Sequence, residues 1–210
     1  MSKSDLGVYA DHTISSLAEL EENYGPANPA SLVKEIDYIS DHYRAFIEKS
    51  PFVVLATVGP DGVDCSPRGD PPGFVRVLDE RTVAIPDRRG NNRIDNLRNL
   101  VVDPRASLLF LIPGIGETIR INGRGYIVTE PELRASFEKK NMQPATVVVT
   151  EIDEVYTQCA KAILRAAIWS GEDESAAVPT AGQFIKEMKA DFDADSYDTG
   201  YAEYARPRMW

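Results

Sequence analysis

Apolar positions change period twice along the chain. Residues 13–24 and 31–49 carry them at helical spacing, the second stretch aligning Leu32, Ile36, Ile39, Tyr43, Phe46 and Ile47 behind a possible Ser31 cap. GPANP separates the two predicted helices. From residue 52 the period shortens to that of strands: FVVLATV and VDCSP flank a Pro-Asp-Gly turn, and FVRVL and TVAIP flank a tight polar DER. Two further strands follow, RASLLFLIP and ETIRINGRGYIVT, with Gly123 and Gly125 marking a bulge or sharp bend in the second. A short helix from Pro131 to about Phe137 precedes a last strand, ATVVVTEIDEV, and helical spacing returns in YTQCAKAILRAAIW and PTAGQFIKEMKA before an acidic, aromatic tail.

Six or seven short strands with hairpin-length links favour a small closed or half-open antiparallel barrel over a parallel sheet. The expected organisation is an N-terminal helical extension (1–50), a barrel (51–155) and C-terminal helices with a tail packing on it (156–210). The 210 residues suit one domain with terminal additions.

Composition narrows the chemistry. A net charge of −10, with 27% charged residues, disfavours nucleic-acid binding through a basic surface, so any anionic ligand must be captured locally. No apolar stretch is long enough to span a bilayer and the first residues lack a signal-peptide core, so a cytoplasmic location without membrane contact is expected. The two cysteines, Cys65 and Cys159, lie far apart and read as packed thiols. The two histidines, His12 and His42, read as helix-surface residues, which leaves no histidine triad and no metal site.

Against this acidic background PDRRGNNRIDNLRNL (86–100) carries four arginines and two aspartates. Ile94, Leu97 and Val101 can face the barrel from a short helix starting at Asn91 or Asn92. Such a start offers free N–H groups and a positive dipole end, and Arg88, Arg89 and Arg93 could add charge-assisted bonds to a phosphate. The alternative is a solvated turn whose arginines pair with acidic neighbours. Arg68, Asp70 and Arg76 lead toward the same loop.

Residues 31–169 together resemble the pyridoxamine 5′-phosphate oxidase-like family of FMN-binding split barrels. The resemblance is carried by FVVLATVGPDGVDCSPRGD, FVRVLDERTVAIPD, NNRIDNLRNLVVDPRASLLFLIPG and ETIRINGRGYIVTE, and is nearest to the branch described only as FMN-dependent enzymes. It implies an α+β, mainly β fold: a six- to seven-stranded antiparallel split β-barrel of Greek-key type with flanking N- and C-terminal helices. It also implies FMN in a groove between the subunits of a homodimer. The family's basic pair for the FMN phosphate falls on Asn92 and Arg93, so an amide replaces one cation and Arg88 or Arg76 is left to supply the missing charge. Val75, Arg76 and Val77 match the strand beneath the flavin, Pro86 and Asp87 the end of the next strand, and Thr118 a position that reaches FMN from the second subunit. Arg68 and Asp70 complete the expected set, with Asp70 and Asp87 orienting arginines or binding ribityl hydroxyls. Trp169 either covers the groove or packs on the barrel. The substrate-binding Arg and His pattern of the true oxidase is absent, so vitamin B6 oxidation is not expected. The implied activity is FMN-dependent transfer of hydride or electrons involving a small-molecule substrate or dioxygen. A flavin carrier or sensor without turnover is the alternative, and an oligonucleotide-binding barrel suits the charge least.

Overall fold

The computed structural model describes residues 3–210, and the chain divides into two units between Lys34 and Glu35. In the first, a 3-10 segment (Lys3–His12) precedes α1 (Leu17–Glu22) and α2 (Pro29–Leu32). The Ser16 hydroxyl accepts the Glu19 N–H at 3.2 Å and the Asn28 side chain accepts that of Ala30 at 3.0 Å, so each short helix starts at a capping residue.

The helix expected over 31–49 is corrected in the second unit. It begins only at α3 (Asp41–Lys49), behind Ser40, and Ser31 caps nothing there. Ile36 exchanges backbone hydrogen bonds with Val155 (3.1 and 2.8 Å), and the Ile39 N–H donates to Glu80 at 2.7 Å. These contacts hold the segment extended, so the apolar positions that read as one helical face divide between a strand-like bridge and a true helix. Tertiary pairing overrides helix propensity here.

Seven strands follow: β1 (Phe52–Gly59), β2 (Gly62–Gly69), β3 (Arg76–Asp79), β4 (Thr82–Pro86), then after α4 (Asp95–Val102) β5 (Arg105–Leu111), β6 (Thr118–Val128) and, after α5 (Pro131–Ser136), β7 (Val147–Gln158). Their spatial order is β2-β1-β5-β6-β7-β4-β3, all neighbours antiparallel, which is the expected split barrel. In β1, Val53, Leu55 and Thr57 are buried while Val54, Ala56 and Val58 are half-exposed; β5 repeats the alternation with Ala106, Leu108 and Phe110 inside. The core is completed by Val75, Val77, Val83, Ile85, Ile119, Ile121, Ile152 and Val155, with Tyr43 and Ile47 of α3 closing one side. A smaller cluster, Ala84, Phe137 and Val147, lies under α5.

β7 pairs with β6 along its length but with β4 only through residues 147–151, and this partial pairing splits the barrel. The bulge expected in β6 is corrected: the register shifts between Asn122 and Gly123, but the extra residue, Asp153, lies on β7, because Asn122 pairs with Glu154 and Gly123 with Ile152. A Cβ on Gly123 would lie 2.1 Å from the Glu151 carbonyl oxygen, so only glycine fits.

Beyond the barrel lie α6 (Lys161–Ala166), α7 (Ala181–Met188) and α8 (Ala194–Ala205). The helix expected over 156–169 is shorter because Tyr156–Gln158 finish β7, and the acidic tail contains α8. Thr180 opens α7 with a capping box, and Asp198 on α8 accepts bonds from the Thr180 hydroxyl and the Gly182 N–H. Both cysteines are exposed, not packed: β2 is an edge strand with Cys65 on its outer face, and Cys159 follows the end of β7. Among the described residues no helix is long and apolar enough to cross a membrane.

Candidate functional site

Three arrangements are built where β2 and β4 end, β3 begins and α4 starts. The first is built on Asn96, buried on α4 against the sheet. Its amide nitrogen donates to the Thr57 hydroxyl at 3.0 Å, and its oxygen accepts from the Ser66 hydroxyl (2.5 Å) and from Arg68 (3.3 Å). Arg68 also approaches Asp87, with Nε 3.9 Å from the carboxylate. Burial raises the Asp87 pKa and the Arg68 charge lowers it, burial being the larger effect. The Asp87 N–H donates to Thr146 at 2.9 Å, which fixes the chain as it leaves β4.

The second is a cleft of about 280 Å³ beside β3, where Asp70, Phe74, Arg76, Arg88, Phe137 and Lys139 come together. The Asp70 carboxylate, 1% exposed, accepts from Arg88 Nε at 2.9 Å and Lys139 Nζ at 2.5 Å. Arg88 donates a further bond to the Phe137 carbonyl at 2.8 Å. The Arg76 guanidinium lies 3.9 Å over the Phe137 ring and donates to the Ser136 hydroxyl and carbonyl at 2.7 and 2.5 Å. Its pKa is lowered by burial and then by the neighbouring Arg88 charge. Arg76 stays protonated at any physiological pH.

The third is the loop 91–94, which corrects the expected helix start. Asn92 and Ile94 are left-handed (φ 61° and 50°), so α4 begins at Asp95 and its cap residue, Ile94, offers no side-chain bond. The Asn91 side chain instead accepts the Arg93 N–H at 3.1 Å and organises the loop. Arg93 is 79% exposed and its Nε lies 3.0 Å from Asp95. The face of α4 turned to the barrel is Asn96, Leu97 and Leu100, whereas Ile94 and Val101 are 45% and 77% exposed. The helix starts later than its apolar spacing suggests, which rotates the buried stripe.

Arg68 with Asp87 and Asp70 with Arg88 are thus gathered at one end of the barrel as two ion-paired groups, with Arg76 beside the second and bonded to Ser136. Val75 and Val77 point into the core, and the Val77 carbonyl accepts from Arg44 at 3.1 Å. Pro86 is buried at the end of β4. Thr118 stands apart: it is buried at the start of β6, with its hydroxyl donating to Gln158 at 3.3 Å. Trp169 donates its indole N–H to the Ile115 carbonyl at 2.8 Å and so packs on the turn before β6.

Sequence reasoning missed Asn96, Phe137, Lys139 and Trp210. Asn96 sits beside an apolar stripe, where an asparagine has to find buried partners, and that was its available signal. Lys139 precedes a Lys-Asn pair suited to a tight turn, whereas nothing local marked Trp210.

A seven-stranded split barrel with a cationic cleft beside its edge strand defines the class of fold. Residues 39–159 match the protein family described as "Pyridoxamine 5'-phosphate oxidase", and the chain belongs to that family. No curated protein matches it. Among solved structures it is similar to HupZ from Group A Streptococcus, at 16% identity over 58% of this chain and 94% of that one, TM-score 0.47. It is also similar to an FMN-binding protein from Syntrophomonas wolfei subsp. wolfei (13% identity, 54% and 82% covered, TM-score 0.43). General Stress Protein 26 from Bacillus anthracis str. Sterne is a further similar structure (18% identity, 54% and 88% covered, TM-score 0.40).

Proposed function

We propose that this chain binds FMN and uses it to pass hydride or electrons between a reduced donor and a small acceptor or dioxygen, acting in the cytoplasm as a homodimer. Membership of the family through residues 39–159, which include all seven strands, carries the reading. FMN supplies the redox chemistry, while the protein supplies binding, orientation and polarity. In this reading the loop Asn91–Arg93 takes the phosphate, with Arg93 as its main cation. β3 with Pro86 and Asp87 underlies the ring and ribityl chain, and Arg68 holds Asp87 in place. The arrangement is compatible with an anionic cofactor: Arg76 and Arg88 bring two mutually repelling charges to the same end of the barrel.

The reading predicts yellow protein, or colourless protein that quenches the fluorescence of added FMN. Charged hydrogen bonds are worth about 1.5–3 kcal/mol, so Arg93→Ala should weaken FMN roughly ten- to a hundredfold while barely affecting riboflavin, which lacks the phosphate. Arg98→Ala, on an exposed position of α4, is the control and should change neither affinity. Equal losses of FMN and riboflavin in both variants would overturn the phosphate assignment, and failure of the protein to bind FMN at all would overturn the cofactor.

One observation favours the alternative of a carrier without turnover. The most buried carboxylate at this end of the barrel, Asp70, is engaged by both Arg88 and Lys139 and so is not poised as an acid or base. Anaerobic mixing with NADH or NADPH separates the readings: bleaching and reoxidation on a catalytic timescale mark an enzyme, and reduction by dithionite alone marks a carrier.

A further inference from the structure

The outer face of the sheet carries an arginine that the rest of the chain leaves unanswered. Arg120 alternates on β6 with the core residues Ile119 and Ile121, so its side chain stands on the same outer face as those of Thr118 and Asn122. Arg44, Arg68, Arg76, Arg88 and Arg134 are half-buried as Arg120 is, but each of them donates to a protein oxygen. Arg120 forms no hydrogen bond or ion pair among the described residues, and its Nε is buried without an acceptor. Its guanidinium carbon lies instead 4.6 Å from the centre of the ring of Tyr156, its cross-strand partner on β7.

The neighbouring acid is already engaged. Glu154, the next β7 residue on this face, accepts from the Asn122 amide at 2.5 Å, and Asn122 accepts from the Ser107 hydroxyl at 2.6 Å. On its other side Arg120 pairs with Leu109 and Leu109 with Val54, both half-buried. One row further along, the face opens into a groove of about 400 Å³ lined by Ala56, Val58, Val63, Ser107 and Asn122. A flat cation laid on an aromatic ring at the edge of an apolar groove suits a planar monoanion: the guanidinium fork can bond both oxygens of a carboxylate, whereas a single positive charge leaves half of a phosphate dianion unanswered.

We propose that Arg120 anchors a carboxylate ligand with an apolar body on this outer face. The carboxylate takes the guanidinium N–H groups, Tyr156 keeps the guanidinium flat, and the body lies over Leu109 and Val54 toward the groove. The groove shares no residue with the cleft beside β3. The proposed function puts Thr118 at the flavin of the second subunit, and Arg120 stands two residues along the same face, so the ligand is that reading's small-molecule substrate; this last step alone rests on that reading.

Calorimetry follows benzoate binding to the full chain as purified, with benzamide as the neutral isostere and inorganic phosphate as a second anion. Benzoate should bind, and the other two about tenfold more weakly or not at all. Arg120→Gln should lower benzoate affinity roughly ten- to a hundredfold, and Arg120→Lys should recover part of the loss, since an ammonium keeps the charge without the fork. Arg98→Ala, at an exposed position of α4, should bind benzoate as the parent does. FMN affinity, read separately by fluorescence quenching, should be unchanged in Arg120→Gln. No benzoate binding by the parent, equal binding of benzamide or phosphate, or full affinity in Arg120→Gln would each overturn the proposal. So would loss of the dimer in that variant, which would assign the arginine to a carboxylate of a second copy, or loss of its FMN affinity, which would make Arg120 a cofactor contact. The heat of benzoate binding needs no flavin, so a parent that binds benzoate but not FMN would sink the cofactor reading and leave the carboxylate site standing.

Discussion

Asp87 is pulled in two directions, by a buried setting that disfavours its charge and by Arg68, which favours it. Burial is the larger effect, so the folded protein binds this proton more readily than the unfolded chain does. A raised carboxylate pKa means that the ionised side chain opposes folding at neutral pH, and that this opposition fades as the pH falls through the raised value and the group is neutralised. Asp87→Asn keeps the size and removes the charge. It should therefore be more stable than the parent at about pH 7, with the difference closing toward about pH 4, as read from urea denaturation at both values. A difference that grew on acidification would mean that the Arg68 attraction outweighs burial. Asp70 is buried too, but it accepts from both Arg88 and Lys139, so its charge is answered where that of Asp87 is answered by one distant guanidinium. The candidate residues were legible as residue types, because arginines and aspartates crowded together in an acidic chain are conspicuous. Which arginine meets which aspartate was not, since Lys139 reaches Asp70 across 69 positions of sequence.

At the level of elements, legibility followed how locally each was determined. The two hairpins, β1–β2 and β3–β4, were readable because their turns are short and their strands are runs of β-favouring residues. The glycines of β6 marked where its pairing with β7 is irregular but not that the extra residue is on β7, and the close approach can be tested: an added methyl at Gly123 meets backbone oxygen rather than a flexible side chain. Overpacking typically costs about 1–3 kcal/mol, so Gly123→Ala should fall at the upper end of that range, measured by denaturation, while Gly90→Ala, which has open space around it, should cost little. Equal small losses would mean that the two strands can separate at the bulge. Helix starts were less readable. The apolar run before α3 was diverted by the Ile36–Val155 bridge, and α4 was delayed by left-handed Asn92 and Ile94; both depend on distant pairing or on backbone conformations that composition does not reveal. The exposed Cys65 has the same origin, because β2 is a sheet edge and its outer face packs on nothing within the barrel.

At the scale of the whole molecule, the argument concerns Thr118. Pro86 pairs with Val147 at one end of β7 and Thr118 pairs with Gln158 at the other, eleven residues along the strand. At ~3.3 Å per residue that is up to about 36 Å of extended chain, so the two positions stand at opposite ends of β7. The cleft beside β3 is also small, about 280 Å³. Pockets that enclose a ligand of cofactor size run from roughly 300 to 1,000 Å³. Both facts fit a half-site that a second copy completes, in which one chain contributes the ends of β3 and β4 and its partner contributes Thr118. The expected outcome is a particle of twice the 23.2 kDa chain mass in light scattering at micromolar concentration. FMN affinity should fall on dilution below the dimer dissociation constant, because an open half-site buries less of the ligand. A particle of 23.2 kDa that still holds FMN with undiminished affinity would show that one chain suffices, and would leave Thr118 as a buried strand residue whose hydroxyl serves only Gln158.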